Sequence, residues 1–166
     1  MGVAALVSVE EYLRTTYDPD CDYVDGELVE RNLGEQSHGL LQLNIGSWLR
    51  ERRNKLRCRV VTEVRLQVRP DRFRVPDVMV IPIEAAGEDI VRTPAFLCIE
   101  ILSRGDTLSE MWEKIGEYFA MGVPVCWIID PRTGQAFHAT PGNWTEVTDG
   151  ILRAEGFEMP IADVLE

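Results

Sequence analysis

Hydrophobic residues fall into two rhythms along this chain, and the change between them marks its elements. Phe96-Leu97-Cys98-Ile99-Glu100-Ile101-Leu102 is apolar at every position but Glu100, the pattern of a strand buried on both faces of a sheet. Val75-Pro76-Asp77-Val78-Met79-Val80-Ile81 repeats that pattern with Asp77 as its single charge. After Ser103-Arg104-Gly105 the rhythm lengthens. Leu108, Met111, Trp112, Ile115 and Phe119 recur at helical spacing, which predicts a helix from about Asp106 to Met121, stopped by Gly122 and Pro124. Val125-Cys126-Trp127-Ile128-Ile129 follows as a third apolar run, so the helix is a crossover and this strand pairs parallel to an earlier one. Asp130-Pro131 then turns the chain.

Upstream, Ser8-Val9-Glu10-Glu11 has the form of a capping box and predicts a short helix to about Thr16, with Val9, Tyr12 and Leu13 inward. Asp25-Gly26 between Tyr23-Val24 and Glu27-Leu28-Val29-Glu30 predicts a hairpin, on which Glu27 and Glu30 are solvated. Ser37 is positioned to cap a helix to about Asn54, with Leu41, Ile45, Trp48 and Leu49 on one face. Val60 to Val68 alternates at Val64, Leu66 and Val68 and reads as one strand. The turn Arg69-Pro70-Asp71-Arg72 would then make it the antiparallel neighbour of the Asp77 strand, with the Glu100 strand third in the meander. Gly134–His138 and Trp144–Val147 form a closing hairpin, and a short apolar segment ends the chain.

With 166 residues and 45% hydrophobic content, the expectation is one domain over 1–166. No apolar run reaches membrane-spanning length and Met1 to Val7 lacks a basic leader, so a soluble, cytoplasmic protein without membrane contact is expected. Cys21, Cys58, Cys98 and Cys126 show no CxxC spacing, which disfavours disulfides and zinc. A net charge of −11 argues against a nucleic-acid partner on average. Arg50 to Arg74 departs from that average, with ten basic residues against three acidic ones. The segment is either a weak DNA-binding surface or a set of solvated charges near a helix end.

Asp77 and Glu100 carry the candidate chemistry. A carboxylate in a buried strand costs several kcal/mol unless it is paired, protonated or bound to a metal. Two such residues in neighbouring strands repel one another, so neutralising either is expected to leave the fold intact or more stable. His38, in the first turn of its helix, sits where the dipole favours a neutral imidazole, as a cap or as a site residue.

Pro76-Asp77, a gap of 22 residues, Glu100-Ile101-Leu102-Ser103, a helical Lys114, and Gly122-Val123-Pro124 leading to Asp130-Pro131 together resemble the Uma-two family of restriction endonucleases, within the PD-(D/E)XK nuclease superfamily. Asp25-Gly26-Glu27-Leu28 and His38 belong to the same resemblance. It implies an α/β, restriction-endonuclease-like core of order αβββαβ, a mixed central sheet flanked by helices with extra hairpins. It also implies a metal-dependent endonuclease hydrolysing phosphodiester bonds of DNA. Mg²⁺ or Mn²⁺ would be held by Asp77, Glu100 and the Ile101 carbonyl, a donor set that suits a hard cation. The superfamily's lysine position holds Leu102 here, and Lys114 matches the place to which that lysine has moved in this family. Lys114 and His38 thus join Asp77 and Glu100 as expected catalytic residues, with an ordinary surface pair between Glu110 and Lys114 as the alternative. A homodimer is expected as the commonest soluble assembly. The competing readings are an inactive nucleic-acid-binding or protein-interaction module, and a protein whose two carboxylates are structural, satisfied by an arginine or by backbone donors.

Overall fold

The computed structural model describes residues 5–32, 34–53 and 56–166. In chain order its elements are α1 (Val9–Arg14), β1 (Asp22–Val24), β2 (Glu27–Val29), α2 (Gln36–Arg52), β3 (Cys58–Thr62), β4 (Leu66–Arg69), β5 (Arg72–Arg74) and β6 (Val78–Pro82). After these come β7 (Leu97–Ile101), α3 (Leu108–Met121), β8 (Cys126–Ile129), β9 (Ala136–Thr140), β10 (Asn143–Glu146), β11 (Ile151–Ala154) and β12 (Phe157–Pro160).

Six strands in the order β10-β9-β8-β7-β6-β3 form the central sheet. β7 and β8 pair in parallel across the α3 crossover, and the other pairs are antiparallel. Side-chain alternation then splits the apolar strands between two layers. Val78, Val80, Leu97, Ile99, Ile101 and Trp127 pack with Leu41, Ile45 and Leu49 of α2. Met79, Ile81, Cys98, Cys126 and Ile128 pack with Met111, Ile115 and Tyr118 of α3. The sequence α2, β3, β6, β7, α3, β8 is the αβββαβ core expected from the sequence.

A second sheet, β2-β1-β5-β4, encloses Tyr12, Cys21, Tyr23 and Phe73. Its outer turn uses Asp25 and Gly26 at φ 51° and 96°, as the Asp-Gly signal requires. Here the single strand expected from Val60 to Val68 is corrected. Glu63 takes the left-handed region (φ 53°) and breaks the run, leaving β3 in the central sheet and sending β4 to the second. β3 is still the antiparallel neighbour of β6, but the β4–β5 hairpin intervenes between them.

Three boundaries also shift. Ser37 lies inside α2, whose N-cap is Glu35, and the helix end expected near Asn54 falls outside the described residues. Trp112, expected on the inner face of α3, is 52% exposed, and Tyr118 is buried instead. The closing apolar segment is a hairpin, β11–β12, that adds Leu152, Phe157 and Met159 to the α2 layer.

Candidate active site

β6 and β7 pair with Val78 opposite Ile99. One step further along that register places Asp77 opposite Glu100, and directly opposed residues share a face of the sheet. Met79 and Cys98, two residues along each strand, belong to the α3 layer, so the two carboxyl groups open toward α3. Both residues are buried.

Both oxygens of Asp77 are engaged. Oδ1 accepts from Arg31 Nη2 at 2.7 Å and lies 3.4 Å from His38 Nε2, while Oδ2 accepts from the Ile101 backbone N–H at 2.7 Å. Burial pushes the carboxyl pKa up, but His38, Lys114 and Arg31 together hold it below the usual value. The expectation that neutralising Asp77 relieves strain is therefore reversed, because its surroundings favour the charged form. His38 is corrected in the same way. Its contact with Asp77 outweighs burial and raises the imidazole pKa above its ordinary value, opposite to the direction expected at a helix N-terminus.

Glu100 is held from α3. Lys114 Nζ donates to Oε2 at 2.9 Å and Tyr118 O–H to Oε1 at 2.6 Å. Desolvation raises the Glu100 pKa to about 7, with the Asp77 charge adding to the rise and Lys114 opposing it. Burial acts against the ammonium, yet Glu100, Asp22 and Asp77 hold the Lys114 pKa above its ordinary value. The alternative surface pair with Glu110 does not form, since Glu110 closes a capping box with Thr107 at the start of α3.

Asp22 of β1 stands 3.9 Å from Lys114 Nζ, accepts from Arg74 at 3.1 Å and from the Val75 N–H at 2.9 Å. It thereby ties the second sheet to the stretch that carries Asp77. Above these residues lies an open cavity of about 640 Å³. Its mouth carries Glu30, Glu35, Glu63, Asp106, Glu110 and Glu113.

The structure thus brings together all the residues expected at the site, Asp77, Glu100, Ile101, Lys114 and His38. Sequence reading missed Arg31, Asp22 and Tyr118. Tyr118 was within reach, four residues after Lys114 on the same helical face. Arg31 and Asp22 carry no periodic signal, being a loop residue and the first residue of a short strand. The Arg50 to Arg74 segment is not one surface. Arg65 is bound to Asp20, and Arg74 to Asp22 and Glu117, while Arg72 pairs with Asp25 and Glu117. Arg50, Arg52, Arg57 and Arg59 remain exposed.

Residues 9–160 match the Uma2 family, described as "Putative restriction endonuclease". The chain belongs to the Uma2 family. Among solved structures it is similar to a nuclease, described as putative and belonging to DUF820, from Anabaena variabilis ATCC 29413. That likeness has a TM-score of 0.83 at 20% identity, covers 95% of this chain and 97% of that one, and shows the fold to be restriction-endonuclease-like. A DrdV–DNA complex matches 62% of this chain and 9% of its own at 18% identity, with a TM-score of 0.41. No curated protein matches the chain. Among the described residues, no helix is long and apolar enough to cross a membrane.

The carboxylate pair fits the divalent cation implied by such a family. Its oxygens are hard donors, and the Asp77 charge raises the cost of ionising Glu100, a repulsion that a bound cation would relieve. Among the described residues no group of three His, Cys, Asp or Glu side chains forms a cage. Two carboxylates completed by a carbonyl and water suit Mg²⁺ or Mn²⁺ better than zinc.

Proposed function

We propose that this Uma2 protein is a metal-dependent endonuclease that hydrolyses phosphodiester bonds of DNA. The supporting observation is the juxtaposition of Asp77 and Glu100 on one face of the sheet, with the Lys114 ammonium on Glu100, at the floor of an open cavity. Asp77, Glu100 and the Ile101 carbonyl would hold Mg²⁺ or Mn²⁺. When bound, the ion supplies a Lewis acid for the phosphoryl oxygen and lowers the pKa of a coordinated water.

The chain's own residues do the remaining work. Tyr118 and Lys114 fix both oxygens of Glu100, so this carboxylate presents one orientation to the cavity. The ammonium of Lys114 is a compact cation on a flexible stem, and it is the group that meets charge developing on the attacked phosphate. Because Asp22 lies on its other side, Lys114 keeps a counter-charge as it turns away from Glu100. His38, beside Asp77, holds that carboxylate from the α2 side. A symmetric pair of chains would double the exposed arginine surface around a duplex.

A second reading has its own support: Arg31 and the Ile101 N–H satisfy Asp77 as in a structural pair, which suits an inactive binding module. Plasmid cleavage with Mg²⁺ or Mn²⁺ separates the two. Wild type should nick or linearise the plasmid, and Asp77→Asn and Glu100→Gln should not. Lys114→Met should cut at least ~10²-fold more slowly while binding Mn²⁺ almost normally, since lysine is not a ligand. No cleavage by a protein that binds duplex DNA would favour the second reading, and full activity in Lys114→Met would remove that residue from the mechanism.

A further inference from the structure

We propose that Arg31 is a two-position cation, serving as the counter-ion of Asp77 in the metal-free protein and binding the substrate's phosphate once a divalent cation has taken Asp77. The inference rests on the nuclease reading and deepens it. Arg31 lies between β2 and α2, yet its side chain is only 16% exposed, because the guanidinium turns inward to Asp77. Its Nη2 is 2.7 Å from Oδ1, one of the two oxygens Asp77 can offer a metal, the other already accepting the Ile101 N–H. A divalent cation and the guanidinium cannot both hold that oxygen at contact distance, since like charges would meet in a poorly solvated place.

Side-chain contacts flank Arg31 along the chain. Asn32 Nδ2 donates to Asp106 Oδ1 at 2.6 Å, and Glu35 pairs with Arg104 at 3.0 Å, both partners lying just beyond β7. Gly105 makes room for the Asn32 side chain, since a Cβ there would stand 2.6 Å from Asn32 Oδ1. Arg31 also has a second carboxylate nearby, with Glu63 3.8 Å from Nη1 at the cavity mouth. Leaving Asp77, the guanidinium moves toward a mouth that is otherwise acidic. It becomes a fork of donors there, shaped for the oxygens of a phosphate.

Calorimetric titration with Mn²⁺ tests the first position. Arg31→Gln should bind Mn²⁺ about tenfold more tightly than wild type, while Arg50→Gln, which removes an exposed cation of α2 not in contact with Asp77, should change affinity by about twofold at most. Should the variant be too unstable in chelator to titrate, its melting temperature should rise more on adding Mn²⁺ than that of wild type. Equal or weaker Mn²⁺ affinity in Arg31→Gln, or an equal or smaller melting shift, overturns the exchange. The second position is read from binding of a short duplex DNA in Ca²⁺ without cleavage: Arg31→Gln should bind several-fold more weakly, Arg31→Lys should recover part of the loss, and unchanged binding overturns it. A wild type that takes up no Mn²⁺, or takes up no more than Asp77→Asn does, overturns the metal-dependent reading itself and this inference with it.

Discussion

Glu100 and Asp77 lie opposite one another, yet their surroundings push them in opposite directions. Desolvation lifts Glu100 from 4.5 to about 7, so the folded chain takes up this proton more readily than the unfolded one. The contribution to stability is therefore fully present below about 4.5 and is lost as pH rises through about 7. Asp77 has the reverse sign. Its lowered value stabilises the fold above the usual carboxylate range and is lost only as pH falls below that range. Urea melts in chelator at pH 5 and pH 8 should show wild type gaining about 1–3 kcal/mol more on acidification than Glu100→Gln does. Parallel pH dependence in the two proteins would mean that Glu100 is ionised across this range. Both carboxylates could be singled out because an acid in an apolar run is conspicuous in sequence. The closest cation of Asp77 could not, because nothing in Glu30-Arg31-Asn32 shows that the chain folds back over β6.

At the scale of elements, α3 is the piece on which the site depends. Thr107 and Glu110 cap its start, and Gly122 ends it at φ 110°, with its N–H bonded to Phe119 O at 3.0 Å. A side chain at 122 would meet that unfavourable backbone and stand 3.3 Å from Pro94 Cγ. Gly122→Ala should cost about 1–2 kcal/mol in chemical denaturation, and a loss under half that would show that the turn relaxes. This helix was legible because its stop signals and its apolar period agree. The break after β3 was not, since Val64, Leu66 and Val68 continue the alternation into a different sheet. Only the left-handed Glu63 marks the change, and a glutamate gives no such signal. Hairpin β11–β12 escaped for a related reason, because Glu155-Gly156 is a weaker turn signal than Asp-Gly.

For the molecule as a whole, charge decides how DNA could approach. A chain of net charge −11 with six carboxylates at the mouth of its cavity repels a phosphate backbone. Arg50 stands twelve residues along α2 from His38, or ~18 Å at helical rise, so it lies well away from Asp77. DNA affinity should accordingly be weak in chelator and rise when Ca²⁺ is added, with Arg50→Ala plus Arg59→Ala lowering the salt slope by about 1–2. An unchanged slope would place these arginines off the DNA path. The four buried thiols, finally, make the chain its own recorder of opening. Cys21 lies in the second sheet's core and Cys58 at the start of β3, while Cys98 and Cys126 face each other across the central parallel pair. A thiol-blocking reagent should leave the native protein almost untouched. Under mild urea it should mark Cys21 and Cys58 first and the central pair last, so that a peptide map of blocked cysteines reads out the sequence in which the layers part.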